Sequence, residues 1–143
     1  MIASLWVGSL WTVGYLVAPT LFATLADRAL AGTIAGNVFR IEAWLSLACA
    51  VSLLLLLGRK PATLPGAGWF ARCSPSRLVI GMALCTLIGY FGLQPFMAAI
   101  REAAAGREMT GDARLYFGLL HGAASLVYLL QSSLGVLLIL KLR

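Results

Sequence analysis

Four apolar runs, at 2–25, 41–58, 78–100 and 115–140, are separated by shorter polar or charged segments. An α-helix needs about 20 residues to cross a hydrocarbon core of about 30 Å, so each run has the length of a membrane span. The pattern predicts an all-α fold: an integral membrane four-helix bundle in one domain, with a polar loop at 59–77. That loop carries Pro61, Pro65, Gly66, Gly68 and Pro75, which punctuate against regular structure. The segment 27–40 has charged ends around Gly32 and Gly36. It is read either as an interfacial amphipathic piece or as an extension of the second helix by two turns.

Within the runs, particular positions break the apolar monotony. Pro19 and Pro95 lie near the exits of the first and third runs. Each removes a backbone donor and frees a carbonyl, that of Tyr15 in the first case, so helix kinks are expected. Gly81, Cys85 and Gly89 recur at a four-residue spacing, as do Gly118 and Gly122. Small residues so spaced let another helix approach closely, which marks Gly81, Gly89, Gly118 and Gly122 as packing positions. The fourth run also aligns Phe117, His121, Ser125 and Tyr128 along one helical face. Glu42 sits just inside the second run, where an unpaired carboxylate is costly; a place near the headgroups or an arginine partner is expected.

Composition narrows the solvent. The chain of 143 residues is 61% hydrophobic and 11% charged, against about a quarter charged in soluble domains. Its net charge of +6 does not indicate nucleic acid, because the basic residues flank apolar blocks instead of clustering with aromatics on a polar domain. The first run lacks a basic leader and exceeds the usual h-region of a signal peptide, so it is read as a retained helix. Three cysteines give no pairing framework and are expected as reduced thiols. Cys49 and Cys85 are read as small packed hydrophobes, with a soft-metal pair as the alternative.

Charge also orients the chain. With four spans, both termini and the central loop share one side, which carries Arg59, Lys60, Arg72, Arg77, Lys141 and Arg143 and no acid. The other side carries Arg28, Arg40, Arg101, Arg107 and Arg114 among acids. The uncompensated central loop places both termini in the cytoplasm.

Depth brings polar groups into register. Gln94 is seven residues before Arg101, His121 seven after Arg114, Pro19 eight before Asp27 and Ser46 six after Arg40. At the helical rise all four fall about 10 Å below the non-cytoplasmic surface. Ser46, Gln94, Arg101, His121 and Ser125 therefore form a candidate polar layer. Two readings stand side by side. The layer either fixes helix register through hydrogen bonds or opens as a pocket for a small hydrophobic ligand, metal or porphyrin. A haem or copper site would take His121 as one ligand and need a second from Met82, Met97, a cysteine or another subunit. Ser125 stands one turn from His121, yet no third orienting acid is within sequence reach. The sequence also has no phosphate loop, paired carboxylates or HExxH motif, so it leans away from catalysis and requires no cofactor.

The first and third runs echo each other: a proline near the exit, a small-residue connector, then Phe39 or Phe117 opening the next helix. This is read either as two parallel helical-hairpin repeats or as the chance likeness of apolar sequence.

Trp6-Val-Gly-Ser-Leu, Val17-Ala-Pro-Thr-Leu-Phe22, Leu30-Ala-Gly-Thr-Ile-Ala-Gly-Asn-Val-Phe39, Gln94-Pro-Phe-Met97 with Arg101, and Phe117-Gly-Leu-Leu-His-Gly-Ala-Ala-Ser125 together resemble the transmembrane protein 205-like family, the bacterial domain of unknown function numbered 4149. The resemblance covers nearly the whole chain and implies a four-helix protein of the bacterial inner membrane without an assigned activity. A more distant likeness joins it to copper-resistance D-type membrane proteins and the bacterial membrane protoporphyrinogen oxidase, both richer in histidine; no catalytic residue carries over. The expected partners are the lipid bilayer and either a second copy or another membrane protein, acting through helix packing.

Overall fold

The computed structural model describes residues 1–58, 74–104 and 110–142. These form four long helices: α1 (Ile2–Thr24), α2 (Arg28–Gly58), α3 (Pro75–Ala103) and α4 (Gly111–Leu142). Every one is long and apolar enough to span a membrane. Most of the basic 59–77 loop, with Arg59, Lys60, Arg72 and Cys73, lies outside the described residues, as do Arg107 and Arg143.

Local chemistry sets the helix starts. The Asp27 carboxylate accepts the Ala29 and Leu30 amides at 2.8 and 3.2 Å, capping α2. At α4 the Thr110 hydroxyl accepts the Ala113 amide at 3.4 Å. Pro75, assigned above to the loop, is instead the first residue of α3. Proline suits that position because its missing N–H would have no intrahelical partner there. The 27–40 segment is helical: α2 begins at Arg28 and runs unbroken through Glu42.

The helices run up and down in ring order, each packing on two neighbours: α1 on α2, α2 on α3, α3 on α4 and α4 on α1. The dry core occupies the half nearer the termini. Trp6, Val7, Leu53, Val79, Met82 and Leu138 are buried there. Within this core the helices meet closely at Gly135 of α4, where a Cβ would stand 2.8 Å from Val7 Cγ2 and 3.4 Å from Met82. Gly81 similarly admits Leu134 Cδ1, at 3.3 Å from its Cβ position, and Gly89 admits Val127 Cγ1, at 3.8 Å. In the other half packing thins. Met97 is the one buried residue of 94–103, and α4 has none before Gln131.

Both proline-bearing helices widen at the same relative place. Thr12–Val17 of α1 and Leu87–Leu93 of α3 are π-helical, each ending two residues before its proline. A π turn shifts the bonding register by one residue and so absorbs the donor that proline lacks. The two helices thus share a device as well as a sequence echo.

The outer surface is as apolar as the interior. Leu5, Leu16, Ile41, Trp44, Val51, Leu55, Leu84, Ile88, Leu119 and Leu126 are all exposed. Water would penalise an apolar surface of that extent, whereas lipid does not.

Candidate functional site

With apolar residues both inside and outside, the informative side chains are the polar ones at the helix seams. Each of the four seams carries a hydrogen bond.

Between α1 and α2, the Trp6 indole donates to the Ser46 hydroxyl at 2.7 Å, and Ser46 donates to the Glu42 carboxyl at 3.0 Å. Ser9 also lies within hydrogen-bonding reach of Glu42. Glu42 is 5% exposed and sits near the middle of α2. This corrects both expectations for it: the carboxyl is well inside the span, and its recorded hydrogen-bond partners are neutral hydroxyls rather than an arginine. Placing a charge there without a cation costs several kcal/mol, which makes its neutral hydrogen bonds part of what holds it.

Between α1 and α4, the Tyr128 hydroxyl donates to the Leu10 carbonyl at 2.6 Å and lies in reach of the Gly14 amide. In an unbroken α-helix those two backbone groups would bond each other. The phenol docks on these two groups next to the start of the π segment. Glycine makes this fit: a Cβ on residue 14 would collide with Tyr128 Cε1 and lie 2.7 Å from Cζ. Tyr15 and Phe39 hold the Tyr128 ring edge-on, at centroid distances of 6.1 and 5.7 Å. The Tyr15 hydroxyl donates to Ser132 at 3.0 Å.

The α3–α4 seam has buried Gln131 donating to Thr86 at 2.9 Å. The α2–α3 seam has Arg101 Nη1 donating to the Gly32 carbonyl at 2.6 Å. Gly32 and Gly36 form the trough in which Arg101 and Gln94 lie. A Cβ on Gly36 would stand 3.2 Å from Gln94 Nε2 and 3.6 Å from Arg101 Nη2.

The five residues of the polar layer therefore occupy three places. Ser46 is in the buried Trp6–Glu42 chain, and Gln94 and Arg101 meet over the α2 trough. His121 and Ser125 are exposed on the outer side of α4. The His121 ring stacks on Phe117 at a centroid distance of 6.2 Å, and Ser125 donates to its own helix at the His121 carbonyl. Ser46 stands ten residues along α2 from Gly36, beside which Gln94 lies, so the two differ in depth by about 15 Å. The turn of about 100° per residue carries His121 to the outer side of its helix. Gly118 and Gly122 lie on the same outer side, with nothing within 4 Å of their Cβ positions. Cys49 and Cys85 are buried free thiols. Among the described residues no three of His, Cys, Asp and Glu cluster as a metal site.

Sequence reasoning passed over Gly14, Tyr128 as the phenol docked on α1, and Gln131. A signal existed for the first two: a glycine five residues before a proline in a spanning helix, and a tyrosine on the polar face of another.

The fold and its polar seams define a multi-pass α-helical membrane protein. The chain belongs to the family described as domain of unknown function (DUF4149), whose pattern it matches over residues 1–106. No curated protein and no solved structure matches it.

Proposed function

We propose that this is a non-enzymatic protein of the bacterial inner membrane that works by helix pairing. The interface is the outer side of α4, and its occupant is a second copy of the chain. One observation carries the reading: His121, an ionisable side chain seven residues inside the span from Arg114, points away from its own bundle. Such groups in membrane helices ordinarily face protein or water. Gly118 and Gly122 beside it leave a smooth trough open to a partner helix. Pairing across a two-fold axis would set each trough against its counterpart and withdraw both histidines from lipid. The chain needs no cofactor for this.

Fluorescently labelled copies in lipid vesicles test it. Gly118→Leu and Gly122→Leu together are expected to weaken self-association by about tenfold or more, the scale of one overpacked contact. Unchanged energy transfer removes the motive for the proposal. A Soret band or bound copper lost in His121→Ala would reassign the face to a cofactor.

We place both termini in the cytoplasm, on the strength of the acid-free basic loop. With Cys49 and Cys85 buried, Cys73 is the thiol that reports sidedness. A membrane-impermeant maleimide is expected to label it only after cells are opened; labelling on intact cells reverses the orientation.

A further inference from the structure

We propose that Arg101 and Gln94, meeting in the α2 trough, form a seat for a phosphate-type oxyanion at the end of the bundle where α1 passes to α2. Arg101 lies two residues from the end of α3, at Ala103. With 29 residues α3 is about 44 Å long, enough for its ends to reach the headgroup region. Its guanidinium is partly buried between helices, and its recorded bond is the single one from Nη1 to the neutral Gly32 carbonyl. Five N–H groups with one acceptor leave most of the fork unspent. Among the described residues no carboxylate is recorded against it; the adjacent Glu102 is exposed.

The open donors are not scattered. Arg101 Nη2 and Gln94 Nε2 both lie within 3.6 Å of one point above Gly36, where any other residue would carry a side chain. A guanidinium fork beside a carboxamide N–H, over bare backbone, matches the oxygens of a phosphate. The glycines do more than ease packing here. Gly32 exposes the carbonyl that anchors one arm of the guanidinium, and Gly36 keeps clear the space that the other arm faces. The two sources of such an anion are a phospholipid headgroup, already at this level of the membrane, and a soluble phosphate.

Detergent-purified full-length chain is titrated with phosphatidylglycerol, with phosphatidylcholine as the zwitterionic control, and with inorganic phosphate, following thermal unfolding. Phosphatidylglycerol is expected to raise Tm well beyond phosphatidylcholine. Arg101→Met and Gln94→Leu are each expected to weaken that apparent affinity, the arginine change by about tenfold or more, as loss of a charge-assisted pair implies. Arg101→Lys keeps the charge but loses the fork, and should fall between. Glu102→Gln should retain the full response, separating the seat from the general basic charge of this end. Stabilisation by inorganic phosphate as well assigns the seat to free anions; by phosphatidylglycerol alone, to lipid. Equal stabilisation by phosphatidylcholine and phosphatidylglycerol, with phosphate inert, overturns the proposal. So does an undiminished phosphatidylglycerol response in both Arg101→Met and Gln94→Leu. Should Arg101→Met fail to fold, Gln94→Leu and Arg101→Lys decide alone.

Discussion

Changing Gly14 to alanine is expected to destabilise the bundle, while the same change at Gly8 is expected to be neutral or mildly stabilising. Propensity alone predicts a gain at both, because alanine is favoured over glycine in a helix interior by up to about 1 kcal/mol. Gly8 has nothing within 4 Å of its Cβ position, so propensity operates there unopposed. At Gly14 the added methyl meets the Tyr128 ring. The ring cannot retreat freely: its hydroxyl is bonded to Leu10, and Tyr15 and Phe39 meet it edge-on. Overpacking costs about 1–3 kcal/mol, and pulling the phenol from the Leu10 carbonyl forfeits about 1 kcal/mol more. Gly14→Ala should therefore lose about 2 kcal/mol, and Gly14→Val more, measured by titrating detergent-folded protein with a denaturing detergent. The cycle with Tyr128→Ala identifies the cause. Once the ring is gone the methyl has room, so Gly14→Ala should cost little in that background. If Gly14→Ala is as stable as the parent chain, the docked phenol is not holding α1 to α4.

That a glycine and a tyrosine 114 positions apart should matter to each other was not readable from the runs, although the runs did yield four helices. Run length reports on the solvent, and lipid demands the same apolar composition of every spanning helix. For the same reason it erases helix rotation. In water an apolar stripe marks the buried face, but here Leu10 is 1% exposed and Leu16 is 63%, and nothing in their chemistry separates them. Trp6 and Trp11, five residues apart, are at 0% and 43%. Rotation became legible only where small or polar residues intervened. Gly81 and Gly89 do face α4, whereas Gly118 and Gly122 face outward, and spacing alone treats the two pairs alike. Distance to the nearest charge gathered His121 with Gln94 and Ser46, yet Ser46 lies about 15 Å further along α2 than the Gln94 contact at Gly36, and His121 faces outward. Of the two readings of 27–40 the extension of the second helix is the one observed, and it is longer than two turns because Arg40, which resembles a membrane boundary, does not end the helix. A helix can continue through such a residue, and Asp27 supplies the cap that starts it.

Trp6→Ala is expected to be the most damaging single change in the dry half, at about 3–5 kcal/mol, the usual cost of emptying a buried tryptophan site. Trp11→Ala, removing an exposed ring of the same size, should cost little. The excess at Trp6 has two parts that can be separated. Trp6→Phe keeps most of the volume but leaves Ser46 without its indole donor, so its cost reads the hydrogen bond, about 1 kcal/mol in membrane proteins. The remainder is packing against the core around Val7, Met82 and Leu138. The other end of the chain, Glu42, behaves differently under two substitutions of similar length. Glu42→Gln retains an acceptor for the Ser46 hydroxyl and adds no charge, so stability should change by less than about 1 kcal/mol. Glu42→Lys puts a cation among hydroxyls and an indole with no carboxylate to meet it, a loss of several kcal/mol. Equal tolerance of Gln and Lys in denaturing-detergent titrations would mean that residue 42 reaches water, and the chain from Trp6 to Glu42 would no longer be an interior one. If Gln is tolerated for folding while self-association or anion binding changes, the carboxyl group serves more than the packing of α1 on α2.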